Sequence, residues 1–566
     1  MKKIVLLILS MVMSISLTSC SGGFGDLIDS LLNRNQLSYR LSDDGEGYIV
    51  TGIGDYKGED IVIPEKYKNL PVIAIGKTVG FLLNSYTASI ENNPSVYNFS
   101  NLHSSLDEYS IVNTNAENGF THNHNIRSIK IPKTIKNISE VAFACCTSLA
   151  YIEVDEDNSA YKSIDGNLYT KDGKTLVQYA LGKNEKNFAI PEGVENISNF
   201  AFHSCADNSE YLTHTLGGMA TFEIDSYSYY SSFISGSLLV SSPIAFVNNC
   251  KQTSYTSPLE SVNIPGTVKT IGVQAFYNCA NLLNVTIPNG VTTIGENAFS
   301  SCKKLESVSI PESVTTIEDT AFRFCTSLST FEVADGNATY KSIDGNLYSK
   351  DGKTLISYTI GKSDKTFNVP KDVTTIASYA FRNALNLEKI IIPDTVEKIE
   401  SNAFFGCKNL TYNEYENGKY LGDETNPYLV LVSLDSLLVV NNITINSNTK
   451  IICSNSINIH NIDCITIPDN VTYIGKNAFI NKSLTSIVLP SSIKFIEENH
   501  FYNKDCKIHF KGTYTEWKTI SSGIDEKFLA YIEKEEYIEV YYYSETTPTN
   551  QGNYWHYDIN GNIVVW

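Results

Sequence analysis

The residues of this chain that could do chemistry are its cysteines, two Gly-Lys-Thr triplets, a histidine pair and scattered carboxylates. Six of the twelve cysteines stand three residues after a recurring phenylalanine: Cys146, Cys205, Cys279, Cys302, Cys325 and Cys407. A position fixed so regularly is a packing position, where a free thiol behaves as a small buried hydrophobe. The alternative is cross-linking, because residues in one column of a stacked structure lie about 4.8 Å apart, within disulfide reach. Cys279, Cys302 and Cys325 would then form at most one bond among them. No Cys-x-x-Cys occurs, so zinc and thioredoxin-like centres lack support. Gly173-Lys174-Thr175 and Gly352-Lys353-Thr354 match the end of a phosphate-binding loop, but Leu168 and Leu347 stand where that loop needs its first glycine. His122-Asn-His124 offers two metal ligands without a neighbouring carboxylate and reads as solvated loop. Asp155-Glu-Asp157 supplies calcium-type acids, yet Ala160 occupies the position that needs glycine. With no His-Glu-x-x-His, no Gly-x-Ser-x-Gly and no carboxylate pair, the expectation is no enzyme, no catalytic residue, no metal and no cofactor.

The elements that hold these residues are set by a repeat. Leu259-Glu-Ser-Val262-Asn-Ile264-Pro265, Leu282-Leu-Asn-Val285-Thr-Ile287-Pro288 and Leu305-Glu-Ser-Val308-Ser-Ile310-Pro311 align without a gap. Each is followed by Val-x-x-Ile and Ala-Phe-x-x-Cys, with the proline, phenylalanine and cysteine columns sharing one period. Further copies run from Ile129 to Phe143, Ile190 to Phe202, Pro370 to Phe381, Pro393 to Phe404, Pro468 to Phe479 and Pro490 to Phe501, with Ile61-Val-Ile63-Pro64 as a degenerate first rung. Leu-x-x-Val-x-Ile is a short alternating strand, and proline ends it by lacking an amide hydrogen. The Ala-Phe segment reads as one helical or 3₁₀ turn. A single rung buries too little to offset its ordering entropy, so the rungs must stack.

The pattern Ile-Pro-x-x-Val-x-x-Ile-x-x-x-Ala-Phe-x-x-Cys resembles the BspA-like leucine-rich repeats of bacterial surface proteins, over most of residues 60 to 510. That resemblance implies a right-handed solenoid with a parallel sheet on one face, and cell-surface roles in adhesion or binding of host proteins. The expected fold class is therefore a repeat solenoid, mainly β with short helical or 3₁₀ turns, carrying β-hairpin insertions and β-rich caps.

At the N-terminus, Lys2 and Lys3 precede an apolar run from Ile4 to Leu17, and Leu17-Thr18-Ser19-Cys20 resembles the bacterial lipobox. The resemblance implies cleavage before Cys20 and acylation of its sulfur, which would anchor the chain in a membrane without a spanning helix. The net charge of −19, from 62 acidic and 43 basic residues, argues against a nucleic-acid partner.

Pro132 to Pro191 and Pro311 to Pro370 are longer than one rung by equal amounts, and Tyr-Lys-Ser-Ile-Asp-Gly-Asn-Leu-Tyr recurs at 161–169 and 340–348. Asp-Gly between Leu-Tyr and Thr-Leu signals a type I′ turn, so each insertion is expected to be a β-hairpin. The stretches 77–125 and 206–258 break the pattern. The expected division is a signal peptide (1–19), a linker (20–36), an N-terminal cap with first rung (37–76) and an irregular insertion (77–125). A solenoid (126–507) follows, with insertions at about 155–188, 206–258, 334–367 and 411–462, and then a β-rich cap (508–566).

Alternation places Glu260, Ser261, Asn263, Asn284, Thr286, Glu306, Ser307 and Ser309 on the outward face of the strands. Small polar side chains in columns make a flat hydrogen-bonding face for an extracellular protein or glycan, and equally permit tight stacking. The leading expectation is a surface-exposed, lipid-anchored protein of the bacterial envelope. Its rivals are a structural or assembly lipoprotein of that envelope and, more remotely, a glycan-processing accessory protein.

Overall fold

A computed structural model describes residues 36–76, 118–204, 223–224, 227–228, 257–434, 443–457, 462–479, 484–497, 506–520, 539–549 and 552–566. The expected signal peptide with Cys20, Cys205, and most of 77–125 and 206–258 lie outside these residues. The described residues up to Gly173, together with Val177–Lys183, form one compact unit. Lys174–Leu176, Asn184–Phe233 and Ser254–Trp566 belong to a second.

The gapless copies in the second unit display the rung most plainly. Val285 of the strand Asn284–Thr286 lies opposite Val308 of Ser307–Ile310, which in turn faces Phe331 of Thr330–Val333, all in parallel. The apolar residues of the alternation point inward, and Leu282, Val285 and Ile287 are buried. After the proline, a second ladder forms: Thr175 and Leu176 pair with the two-residue strand Asn196–Ile197, and Thr270–Ile271, Thr293–Ile294 and Thr316–Ile317 follow in register. A rung thus contributes to two parallel ladders, where the resemblance implied a sheet on one face.

The Ala-Phe segment forms the remaining side as a series of 3₁₀-type turns. Ala298 N–H donates to Gly295 O at 3.2 Å and Cys302 N–H to Phe299 O at 3.3 Å. Left-handed residues at Asn297 (φ 52°) and Ser301 (φ 62°) break any run of helix and turn other amides toward the next rung. Phe276 N–H accordingly reaches Ala298 O at 2.7 Å, and Phe299 N–H reaches Ala321 O at 2.8 Å. Their rings stack, Phe276 on Phe299 at 4.9 Å and Phe299 on Phe322 at 5.4 Å.

In the first unit, Asp60–Val62, Ser128–Ile131 and Tyr151–Val154 form a parallel ladder, so Ile61-Val-Ile63-Pro64 stacks as a rung. Its missing Ala-Phe pair is Gly119-Phe120. Phe120 N–H donates to Ala142 O at 2.8 Å, the bond made by every repeat phenylalanine in an unbroken stack, and its ring stacks on Phe143. The interruption expected over 77–125 is therefore narrower, because its last residues belong to the first rung. Gly119 sits at φ 72°, and a Cβ there would lie 3.2 Å from that of Ala142, which explains glycine in place of the usual alanine. Ser38–Leu41, antiparallel to Tyr48–Gly52, closes the outer edge of this unit's other ladder.

The duplicated insertions are β-hairpins, and the type I′ turn sits at a different Asp-Gly from the expected one. Tyr161–Ile164 pairs antiparallel with Asn167–Thr170, and Tyr340–Ile343 with Asn346–Ser349. The turn residues Asp165 (φ 49°), Gly166 (φ 72°), Asp344 (φ 48°) and Gly345 (φ 75°) are all left-handed, as type I′ demands. At the expected position only the glycine, Gly352, has positive φ, and its N–H closes the turn on Ser349 O at 2.8 Å. A third strand, Thr354–Ser357, extends the hairpin into a meander and joins the rung ladder through Leu355 and Ile376.

The expected insertion at 411–462 holds the same meander, built from Asn413–Tyr415, Gly418–Leu421 and Val430–Leu434. A further rung of the second ladder follows it. Ile452 pairs in register with Ile474, and Ile457 N–H donates to Ala478 O at 2.9 Å. This rung escapes the sequence pattern because Asn446, Thr449, Ser456 and Ile457 replace its proline, valine, alanine and phenylalanine.

At the C-terminal end, Lys507–Phe510, Val540–Tyr543 and Tyr554–Tyr557 continue the first ladder in parallel, and Ile563–Val565 turns back antiparallel. Tyr514–Ile520 is the one α-helix among the described residues. It opens with a capping box: Thr513 N–H donates to Glu516 Oε2 at 2.6 Å and Glu516 N–H to Thr513 Oγ1 at 3.2 Å. Trp517 on this helix is buried and meets Phe510 edge-on at 5.1 Å.

Candidate functional site

The outward side chains of the main ladder fall into two groups within the second unit. Asn284, Thr286, Ser307 and Ser309 share one three-stranded ladder with Thr330 and Glu332, and Glu306 immediately precedes its middle strand. Ser307 Oγ donates to Asn284 Oδ1 at 3.0 Å and Ser309 Oγ to Glu332 Oε2 at 3.1 Å. Glu260, Ser261 and Asn263 lie on and beside the strand Ser261–Asn263, paired with Asn187–Ala189. There Ser261 Oγ donates to Asn187 Oδ1 at 2.6 Å, and Lys186 Nζ meets Glu260 Oε1 at 2.7 Å.

These side chains are exposed or half-buried, so each bond across the rungs uses only part of their hydrogen-bonding capacity. A serine hydroxyl that donates sideways still presents lone pairs outward. The charged members of the face are Glu260, paired with Lys186, together with Glu306 and Glu332, and the remaining side chains can both donate and accept. The added members Glu332, Lys186 and Asn187 were legible in principle, since alternation in neighbouring strands puts them in the same columns.

The cysteines sit where the repeat places them. Cys146, Cys279, Cys302, Cys325 and Cys407 are buried and free, as are Cys453 and Cys506, Cys145 is buried as well, and free Cys464 is exposed. Each column thiol donates to the carbonyl of the preceding rung's phenylalanine: Cys302 Sγ to Phe276 O at 3.3 Å, Cys325 Sγ to Phe299 O at 3.1 Å and Cys407 Sγ to Phe381 O at 3.0 Å. Burial pushes the thiols of Cys146, Cys279, Cys325 and Cys407 up to about 12. Such thiols are poor nucleophiles.

The remaining candidates are occupied locally. His124 Nδ1 pairs with Thr147 Oγ1 at 2.9 Å, and burial, aided by His122, holds its pKa down. Asp155 Oδ1 accepts the amide of Asp157 at 2.9 Å, closing its own turn. In the second Gly-Lys-Thr, the amides that would cradle a phosphate are spent: Lys353 N–H donates to Asp351 Oδ1 and Thr354 N–H to Ser349 Oγ, both at 2.9 Å. Among the described residues no group of three or more His, Cys, Asp or Glu is arranged to hold a metal ion.

No curated protein matches the sequence. The fold is similar to that of the pneumococcal vaccine antigen PcpA, at 18% identity over 90% of this chain and 93% of that one, with a TM-score of 0.33. A leucine rich cell surface protein from Faecalibacterium prausnitzii A2-165 is similar at 20% identity, over 90% and 98% of the two chains, with a TM-score of 0.32. A leucine-rich repeat protein from Bacteroides ovatus matches at 18% identity over the same shares, with a TM-score of 0.30. The model of the BspA type leucine rich repeat region matches residues 85–205, 250–367, 360–425 and 435–519. These segments make up more than half of the chain, which therefore belongs to the BspA type leucine-rich-repeat family.

Proposed function

We propose that this chain is a lipid-anchored protein of the bacterial cell surface that binds a protein or glycan on its outward ladder, in adhesion or host interaction. The observation that carries the reading is the two columns of polar groups, Asn284 with Ser307 and Thr286 with Ser309 and Glu332, exposed or half-buried on strands held in register. Binding sites tend to form on surfaces that a stiff frame holds in place, with no folding of the face required on contact. The export pattern ending at Cys20 and the membership in a family of repeat proteins support the anchored, surface placement. Nothing in the side-chain chemistry favours turnover over binding.

The test is capture of mucins and matrix proteins by the soluble 21–566 fragment, beside a variant carrying Asn284→Lys, Ser307→Lys and Ser309→Lys. The expected result is capture by the native fragment and its loss in the variant. Binding to no extracellular component, together with normal adhesion of cells lacking the protein, would overturn the reading. Crosslinking on intact cells to another envelope component alone would point to an assembly role.

A further inference from the structure

The meander at 340–357 and the turn that follows it bring an amide and an amine together. Asn346 is 1% exposed, and its Oδ1 accepts three donors: Thr359 N–H at 3.0 Å, Thr359 Oγ1 at 2.9 Å and Lys362 Nζ at 3.3 Å. A backbone N–H can only donate, so Oδ1 must face Thr359 and Nδ2 must face away. That Nδ2 is buried with no hydrogen-bond partner among the described residues. The amide is thus polarised at its oxygen and unsupported at its nitrogen.

Lys362 is held against this amide. Its Nζ also donates to Asp344 O and lies over the Tyr358 ring at 5.7 Å from the centroid. Burial lowers its pKa against the opposing pull of Asp364 and Asp344, so it gives up a proton more readily than a solvated lysine. A neutral lysine amine is a nucleophile. The same two carboxylates are near enough to act on its charge, and either can carry the proton.

The first copy of the duplication keeps the frame with one donor fewer. Asn167 and Lys183 stand where the second copy has Asn346 and Lys362, Lys183 Nζ likewise donates to Asp165 O, and Asn167 Nδ2 is again buried without a partner. Ala180 N–H donates to Asn167 Oδ1 at 2.9 Å, but alanine in place of Thr359 removes the hydroxyl. The meander therefore folds without that hydroxyl, and its presence in the second copy is not a demand of packing.

We propose that Lys362 and Asn346 become joined by an intramolecular isopeptide bond. Lys362 gives one proton to Asp364 or Asp344, and its Nζ lone pair attacks Asn346 Cγ to form the Nζ–Cγ bond. Negative charge gathers on Oδ1, where Thr359 N–H and Oγ1–H already point. The attacking nitrogen then passes a second proton to Nδ2, the Cγ–Nδ2 bond breaks, and ammonia leaves, taking up the first proton as ammonium. Nothing is oxidised or reduced. Loss of Nδ2 also removes the buried group that lacked a partner, and escape of the ammonia keeps the step from reversing. The product closes a loop over the strands Asn346–Ser349 and Thr354–Ser357, the second of which joins the rung ladder through Leu355 and Ile376. The bond belongs to the scaffold and not to the outward ladder, so either reading can fail alone.

Tryptic mapping of the full chain by mass spectrometry tests it. The expected product is Ser342–Lys350 joined to Thr354–Lys365, with cleavage after Lys362 blocked and the pair lighter by one ammonia than the two peptides together. Thr359→Ala copies the first duplicate and should slow bond formation in freshly refolded chain roughly 100-fold. Lys362→Arg should abolish it. Unlinked Ser342–Lys350 and Thr354–Lys362 from the native chain would overturn the proposal, and the native map decides this even where a variant fails to fold. Loss of ammonia from an unlinked Ser342–Lys350, which is a succinimide at Asn346, or undiminished linking in Thr359→Ala would overturn it as well.

Discussion

At the level of single residues, the repeat decides which chemistry is silenced. The column thiols are buried donors to backbone carbonyls, so alkylation by iodoacetamide at pH 8, followed site by site with mass spectrometry, should label Cys464 in the native protein and Cys302 only after unfolding. Native labelling of Cys302 would contradict its burial. His509 is the clearest titration probe. It is 4% exposed, its Nδ1 pairs with Ser486 Oγ at 3.0 Å, and its ring lies against Tyr541 and Trp555. Burial, then the nearby Lys507, pushes its pKa down to about 4. An unfolded histidine titrates near 6.5. Between those values the unfolded chain binds the extra proton, so stability is fully present above about pH 6.5 and falls as pH drops toward about 4. Melting curves of the native chain and of His509→Phe should converge in slope at neutral pH and part below it.

At the level of elements, the two duplicated meanders are fastened by one asparagine each, Asn158 and Asn337. Asn337 is fully buried, its Nδ2 donating to Pro311 O and Val314 O at 2.7 and 2.9 Å while its Oδ1 accepts the amides of Thr339 and Tyr340. Asn337→Ala strands four partners in the interior and should lower stability in urea by roughly 2–4 kcal/mol. Losing the exposed capping box through Glu516→Ala should cost about 0.5–1 kcal/mol, with the change confined to the helix Tyr514–Ile520. These elements were unequally legible in the sequence. Strands were readable because alternation and proline mark them directly, and the outward residues of 260–309 are where alternation put them. The rung at 445–457 was hidden because four of its marker residues are replaced by others of similar size or hydrogen-bonding habit. Gly119-Phe120 was hidden by the long segment separating it from its own strands.

At the level of the molecule, each unit is stabilised by contacts between successive rungs, so damage should travel only as far as its neighbours. Val308→Asp places a charge at a fully buried ladder position. Hydrogen exchange should then quicken most in Ser307–Ile310 and the adjoining strands, and fade with each rung away from it within the same unit. Uniform loss of protection throughout that unit would instead indicate one cooperative core.

The in-register ladders also determine how either unit would bear tension. The bonds between rungs, such as Phe276 N–H to Ala298 O and Phe299 N–H to Ala321 O, run along the direction in which rungs succeed one another. A pull in that direction loads them in series, so rungs peel one at a time at modest force. A pull along the strands loads a whole ladder at once and meets far greater resistance. Either unit would therefore lengthen gradually or hold firm according to the direction of the pull.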